Sequence, residues 1–122
     1  HPFSDRQTVD VEAVAEQTYL ERLSCEFDQH YEARPDAVDY EFDVRYASER
    51  EDWIQALILA GEGCAIVPEY MACLPGIQKL PISQPEMRRT VCAATLRGRP
   101  FSDAAKAFIR LAGSHNWIGG GE

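Results

Sequence analysis

A chain of 122 residues, 45% hydrophobic and 26% charged, has the usage of one ordinary globular domain, which excludes intrinsic disorder. Twelve lysines and arginines against 20 acidic residues leave a formal charge of −8, so the chain lacks a clustered basic footprint and is not expected to bind duplex DNA by itself. No apolar h-region opens it, and Ile54 to Tyr70 is too short and too interrupted to span a bilayer. Its four cysteines, at 25, 64, 73 and 92, show no CxxC spacing, which predicts a cytoplasmic protein with reduced thiols and no zinc.

Asp10 has the side chain of an N-cap, and Val11, Val14 and Ala15 follow it on a short predicted helix. Tyr19 to Leu23 reads as a strand. Ser24 is suited to cap the next helix, with Glu26 and Asp28 in its first turn and Arg34-Pro35 at its close. Tyr40, Phe42, Val44 and Tyr46 alternate with Glu41, Asp43 and Arg45, a period of two that implies an edge strand with one face toward water. Ser48-Glu49-Arg50-Glu51 has the form of a capping box, so a helix is expected to start there. Trp53, Ile54, Leu57 and Ile58 form its apolar face, and Glu49, Glu51 and Asp52 lie where the helix dipole favours them.

Gly61 falls where a left-handed C-terminal cap is expected. Cys64 to Val67 is a small and β-branched run that reads as a strand buried on both faces, stopped by Pro68, which cannot donate to a ladder. Ile54, Leu57, Ile66 and Val67 are expected to be scaffold. Lys79 to Ile82 is a short strand within the proline-punctuated stretch Leu74 to Ser83, and Gln84-Pro85-Glu86 turns the chain. Arg89 to Leu96 reads as a last strand. Ser102 caps a final helix carrying Ala105, Phe108, Ile109 and Ala112 on one face and ended by Gly113, with Gly119 to Glu122 as a loose tail.

Alternation of this kind predicts an α/β fold, a Rossmann-like mixed and mostly parallel sheet flanked by helices. Ligands in such sheets bind outside the carboxyl ends of the strands. The rule selects Leu23-Ser24-Cys25, Ala47-Ser48-Glu49 and Val67-Pro68-Glu69. Two of the three are helix starts, which suit an anion such as a small carboxylate.

These residues resemble the effector-binding half of LysR-type transcriptional regulators, a type 2 periplasmic-binding-protein-like fold. His1-Pro2-Phe3 with Arg6 and Val9 looks like the family's HPLA stretch, and Ala60 to Glu69, AGEGCAIVPE, is similar to its AGxGIAxLPE signature. Arg88-Arg89-Thr90-Val91, then Arg97-Gly98-Arg99-Pro100 and the helix from Ala104 to Leu111, looks like its closing strand and helix. The resemblance implies that residues 1–85 are the second effector-binding subdomain and that residues 86–113 return to the first, leaving 114–122 as a flexible tail. It implies a small-molecule effector in a cleft; with the strand-end rule, Ser24, Cys25, Phe27, Ser48, Val67 and Pro68, together with Arg89 of the returning strand, are the expected effector-binding residues, and those from Ser24 to Pro68 are expected to converge at one end of the sheet. It also implies a helix-turn-helix and the start of the first subdomain before His1, through which alone DNA is contacted, and assembly as a dimer or tetramer. His1 is not an initiator methionine, in keeping with a cut-out or processed piece.

Cys25 also supports a second reading. A thiol at a helix start is where the dipole favours a thiolate, the resemblance brings Arg88 and Arg89 near it, and peroxide-sensing members carry a reactive cysteine at a similar place. Gln29 to Val38 holds no resolving cysteine. A free-standing small-molecule binding protein is the third reading, which a secretion signal would mark. No base is positioned for Cys-His hydrolysis by His30 or His115, and the histidines lack ligand spacing, so neither catalysis, a metal nor a cofactor is expected. The apolar face of the segment Arg89 to Gly113 needs a partner, which predicts self-association.

Overall fold

The computed structural model describes residues 2–25, 27, 31, 34, 35 and 38–117. The chain divides into two compact units, His1–Arg88 and Arg89–Glu122.

In the first unit, β1 (Val9–Asp10) runs directly into α1 (Val11–Ala15), where Asp10 Oδ1 accepts from the Ala13 N–H at 2.7 Å. That bond satisfies a donor which every helix start leaves free. Val11 and Val14, three residues apart on one face, are buried. β2 (Thr18–Arg22) pairs in parallel with β3 (Asp43–Ser48), Thr18 opposite Asp43 and Arg22 opposite Ser48, with a shift of register between Tyr19 and Leu20. On the other side of β2 the Leu20 N–H donates to Cys64 O at 2.9 Å and the Cys64 N–H to Thr18 O at 3.0 Å, a parallel bridge. Among the described residues β2 is therefore central, with Leu20 wholly buried, and β3 lies at the edge; but β3 starts at Asp43, not Tyr40, and Asp43 to Ala47 are all exposed, so the one buried face expected from the alternation is not formed. A second parallel pair joins β1 to β4 (Ile82–Gln84), Val9 opposite Ile82. The strand pairs are parallel and interleaved with helices, the α/β class read from the sequence.

The core of this unit gathers Phe3, Val9, Val11, Val14, Tyr19, Phe27, Tyr31 and Ile66. Within it Phe27 stacks on Tyr31 with ring centroids 5.4 Å apart, and Tyr19 meets the adjoining Phe42 in a tilted pair at 4.7 Å. The Tyr31 hydroxyl donates to Val38 O at 2.9 Å and accepts from the Val38 N–H at 3.1 Å, which fixes the approach to β3. The helix expected after Ser24 falls mainly on residues outside the described set, as does the tail from Gly119.

α2 (Glu51–Leu59) begins without the expected capping box. Ser48 Oγ accepts from the Arg50 N–H at 3.0 Å, Arg50 is the N-cap with no side-chain cap bond, and the Glu51 carboxylate turns to Arg22. A carboxylate paired through several bonds to a buried guanidinium outweighs the single bond it would make to a backbone N–H. The apolar face is also rotated: Ile54 is buried, but Trp53 is 60% exposed beneath the Arg50 guanidinium, and Gln55 is buried in its place. Gly61, at φ +81°, takes the left-handed turn that closes the helix.

Strand boundaries differ from the pattern reading at β2 and β3, as their ranges show, and in two further places. Cys64 to Val67 makes only the bridge at Cys64, because the Ile66 carbonyl that would extend a ladder accepts instead from Arg22 Nη1 at 3.2 Å. The strand expected over 79–82 starts at Ile82, since Pro81 has no N–H to give; its carbonyl still accepts from the Val9 N–H at 3.1 Å.

The second unit carries α3 (Asp103–Ser114), whose cap Ser102 accepts through Oγ from the Ala105 N–H at 3.2 Å. Gly113 does not end it: the helix continues to Ser114, and the Trp117 indole N–H caps the Ala112 carbonyl at 2.8 Å. The strand expected over Arg89 to Leu96 is not formed; a strand needs a ladder partner, and these residues are all solvent-exposed. Phe108 and Leu111 are 64% and 68% exposed, with Ala105 and Ala112 half-buried.

Candidate functional site

Parallel strands that share one direction deliver their carboxyl ends to one end of the sheet. There β2 ends at Arg22, β3 at Ser48, and the bridged segment continues from Cys64 through Ile66 to Pro68. The Leu23 N–H donates to Ser48 O at 3.1 Å, holding the first two ends together.

Arg22 joins all three. Its guanidinium is 7% exposed, and Nε donates to both Glu51 carboxylate oxygens at 2.8 Å while Nη2 donates to Oε1. Nη1 donates to the Ile66 carbonyl at 3.2 Å and to Cys25 Sγ at 3.3 Å. The hydrogen bond to Glu51 raises the Arg22 pKa above its ordinary value against the opposing effect of burial. This arginine is the residue that pattern reading missed. Its signal was a charged side chain two residues after the buried Leu20, hence on the same face of a central strand, where only an ionic partner makes it tolerable.

Cys25 is half-buried, with Sγ accepting also from the Phe27 N–H at 3.4 Å and lying 4.0 Å from Ile66 O. It is thus Cys25, not Ser24, whose side chain meets a backbone donor two residues on; Ser24 is exposed. Phe27 is buried in the core, Ser48 is half-buried at the end of β3, and Val67 and Pro68 are half-buried beyond Ile66. Cys25, Ser48 and the segment leading to Pro68 therefore meet at the same end of the sheet through the Arg22 and Leu23 bonds. The guanidinium beside Cys25 is that of Arg22. Arg88 instead pairs with Glu86, its Nε at 2.7 Å from Oε1, and Arg89 belongs to the second unit, where it is solvent-exposed.

The loop after Pro68 is held by side chains bonded to its backbone. Gln55 Nε2 donates to Ala72 O at 3.1 Å, and the Leu74 N–H donates to Gln55 Oε1 at 2.7 Å. Lys79 Nζ donates to Glu69 O at 2.8 Å and Met71 O at 3.1 Å. The hollow lined by Glu41, Phe42, Asp43 and Val44 lies at the start of β3, the opposite end of that strand from Ser48. All four cysteines are free thiols, and burial pushes the Cys64 thiol up to about 11. Among the described residues no cluster of three or more His, Cys, Asp or Glu side chains is placed to hold a metal ion, and no helix is long and apolar enough to cross a membrane.

Strand ends, the start of α2 and a buried arginine thus lie at one end of the sheet. The family model of the LysR substrate binding domain matches residues 1–117, and the chain belongs to that family. Domains of this family sense effectors within LysR-type transcriptional regulators, a regulatory and not a catalytic task. Comparison with curated proteins and with solved structures gives no match.

Proposed function

We propose that this chain senses a small anionic effector at the carboxyl ends of β2, β3 and the Cys64–Pro68 segment, and that occupancy is passed to the DNA-binding region of a LysR-type regulator. Residues 1–85 act as the second effector-binding subdomain, and 86–113 as the piece that returns to the first. Ser24, Cys25, Ser48, Val67 and Pro68 are the groups we assign to the ligand, with Phe27 as the apolar floor under Cys25. The single observation that supports this reading is the buried Arg22 guanidinium at that end of the sheet, where strand ends, a helix start and a fixed positive charge coincide. Regulators of this architecture work as assemblies, so self-association belongs to the same proposal.

Thermal denaturation of the chain against a panel of mono- and dicarboxylates tests it. A saturable rise in Tm is expected for at least one, lost on Ser48→Ala or Pro68→Ala, since a ligand that binds only the folded state stabilises it by mass action. Stabilisation by neutral or cationic compounds alone would exclude the anionic reading.

A further inference from the structure

We propose that the Arg22 guanidinium is an exchangeable carboxylate seat, which Glu51 holds in the free chain and the carboxylate of an effector takes over. The inference rests on the effector-sensing reading and names how that site is regulated. Nη1 of Arg22 is committed to the protein, on Ile66 O at 3.2 Å and Cys25 Sγ at 3.3 Å, so the guanidinium does not leave its place. Nε and Nη2 form the remaining fork, and the whole of it faces Glu51. A guanidinium fork matches the two oxygens of any carboxylate equally well.

The two partners differ in what release costs them. Arg22, at 7% exposure, must keep an anion, because a buried unpaired charge is heavily penalised. Glu51, at 38%, reaches water by turning its side chain outward. It is the first residue of α2, so its departure detaches the start of that helix from β2 while Arg22 stays fixed to the segment before Pro68. Two carboxylates cannot share the fork without like-charge repulsion, so an entering anion drives Glu51 out and biases the helix start.

Chemical rescue tests the seat without knowledge of the effector. Glu51→Ala leaves Arg22 unpaired, and acetate, compared with chloride at equal ionic strength, is expected to give a saturable rise in Tm of several degrees in this variant. The gain should be much smaller in the parent chain, where Glu51 competes, and absent in Glu51→Ala combined with Arg22→Met. An equal acetate effect in the double variant, or no effect beyond chloride in Glu51→Ala, overturns the proposal. Should Glu51→Ala not fold in chloride, acetate must restore the folded chain. If acetate fails to do so, and Glu51→Gln, which keeps one acceptor, folds with no acetate gain over the parent, the proposal is overturned as well. Rescue in a chain whose parent form responds to no carboxylate of the panel would sink the sensing reading and leave the seat standing.

Discussion

Among the described glycines, Gly63 is the one whose added Cβ would come closest to the main chain. A Cβ built there lies 2.4 Å from the Thr18 carbonyl oxygen and 3.2 Å from Leu20 Cγ, and the same Thr18 oxygen accepts the Cys64 N–H at 3.0 Å. Gly63→Ala must therefore displace main chain, since no flexible side chain is available to yield. Overpacking of this kind costs about 1–3 kcal/mol. Weakening the two bonds of the Tyr19–Cys64 bridge adds about 0.5–1.5 kcal/mol for each. The smaller entropy of an unfolded alanine returns about 0.4–1 kcal/mol. The net expectation is a loss of about 2–4 kcal/mol, or a fall in Tm of at least about 10 °C for a domain of this size. Circular dichroism melts of the parent, Gly63→Ala and Gly61→Ala decide the matter. Gly61 sits at φ +81° with nothing within 4 Å, so alanine there meets only left-handed backbone strain, about 1 kcal/mol. A Gly63→Ala chain that melts with the parent, or above Gly61→Ala, refutes the close-approach account.

Removing one member of the Arg22–Glu51 pair should be asymmetric. Glu51→Ala strands a buried cation and is expected to cost about 3 kcal/mol, while Arg22→Met leaves a carboxylate that reaches water and should cost visibly less in urea titrations. Thiol labelling at pH 8 should modify exposed Cys92 rapidly and leave Cys64 slow, as mass spectrometry of timed samples will report. An unfolded thiol titrates near ~8.5, so between that pH and about 11 the unfolded chain loses a proton that folded Cys64 keeps; stability falls as pH rises through this window, and Cys64→Ala should flatten the decline. Self-association through the apolar side of α3 predicts a concentration-dependent mass in light scattering that Phe108→Glu reduces to one chain; a parent monomeric at tens of micromolar would count against it.

Local chemistry was legible wherever the partner of a residue is near in sequence. Asp10 and Ser102 cap their helices and Gly61 takes its turn, because each depends on residues at most a few positions away; the alternation from Tyr40 to Tyr46 located an edge strand only approximately, since the ladder with β2 sets its bounds at Asp43 and Ser48. The capping box failed for the complementary reason: Glu51 has a local partner in Ser48 and a stronger one in Arg22, on a different strand. The run from Cys64 to Val67 has the composition of a buried strand, but composition does not reveal that an arginine takes the carbonyl of Ile66. Gln55 was passed over because it interrupts the apolar spacing that Trp53 appeared to extend. At the candidate site, the strand-end rule picked out Cys25, Ser48 and Pro68 by position, while the arginine that joins their segments depends on tertiary pairing alone.

The side chains of Gln55 and Lys79 grip the loop after Pro68 only by its main chain, at the carbonyls of 69, 71 and 72 and the N–H of 74. The shape of that loop is thereby uncoupled from the identity of its residues. Ala72 and Leu74, both exposed, are free to be exchanged for other side chains without disturbing the path of the backbone, whereas a change at Gln55 alters that path and touches no side chain of the loop. Variation in what the loop displays and constancy in where it stands can then be altered independently, which is how one scaffold comes to present different surfaces at the same rim.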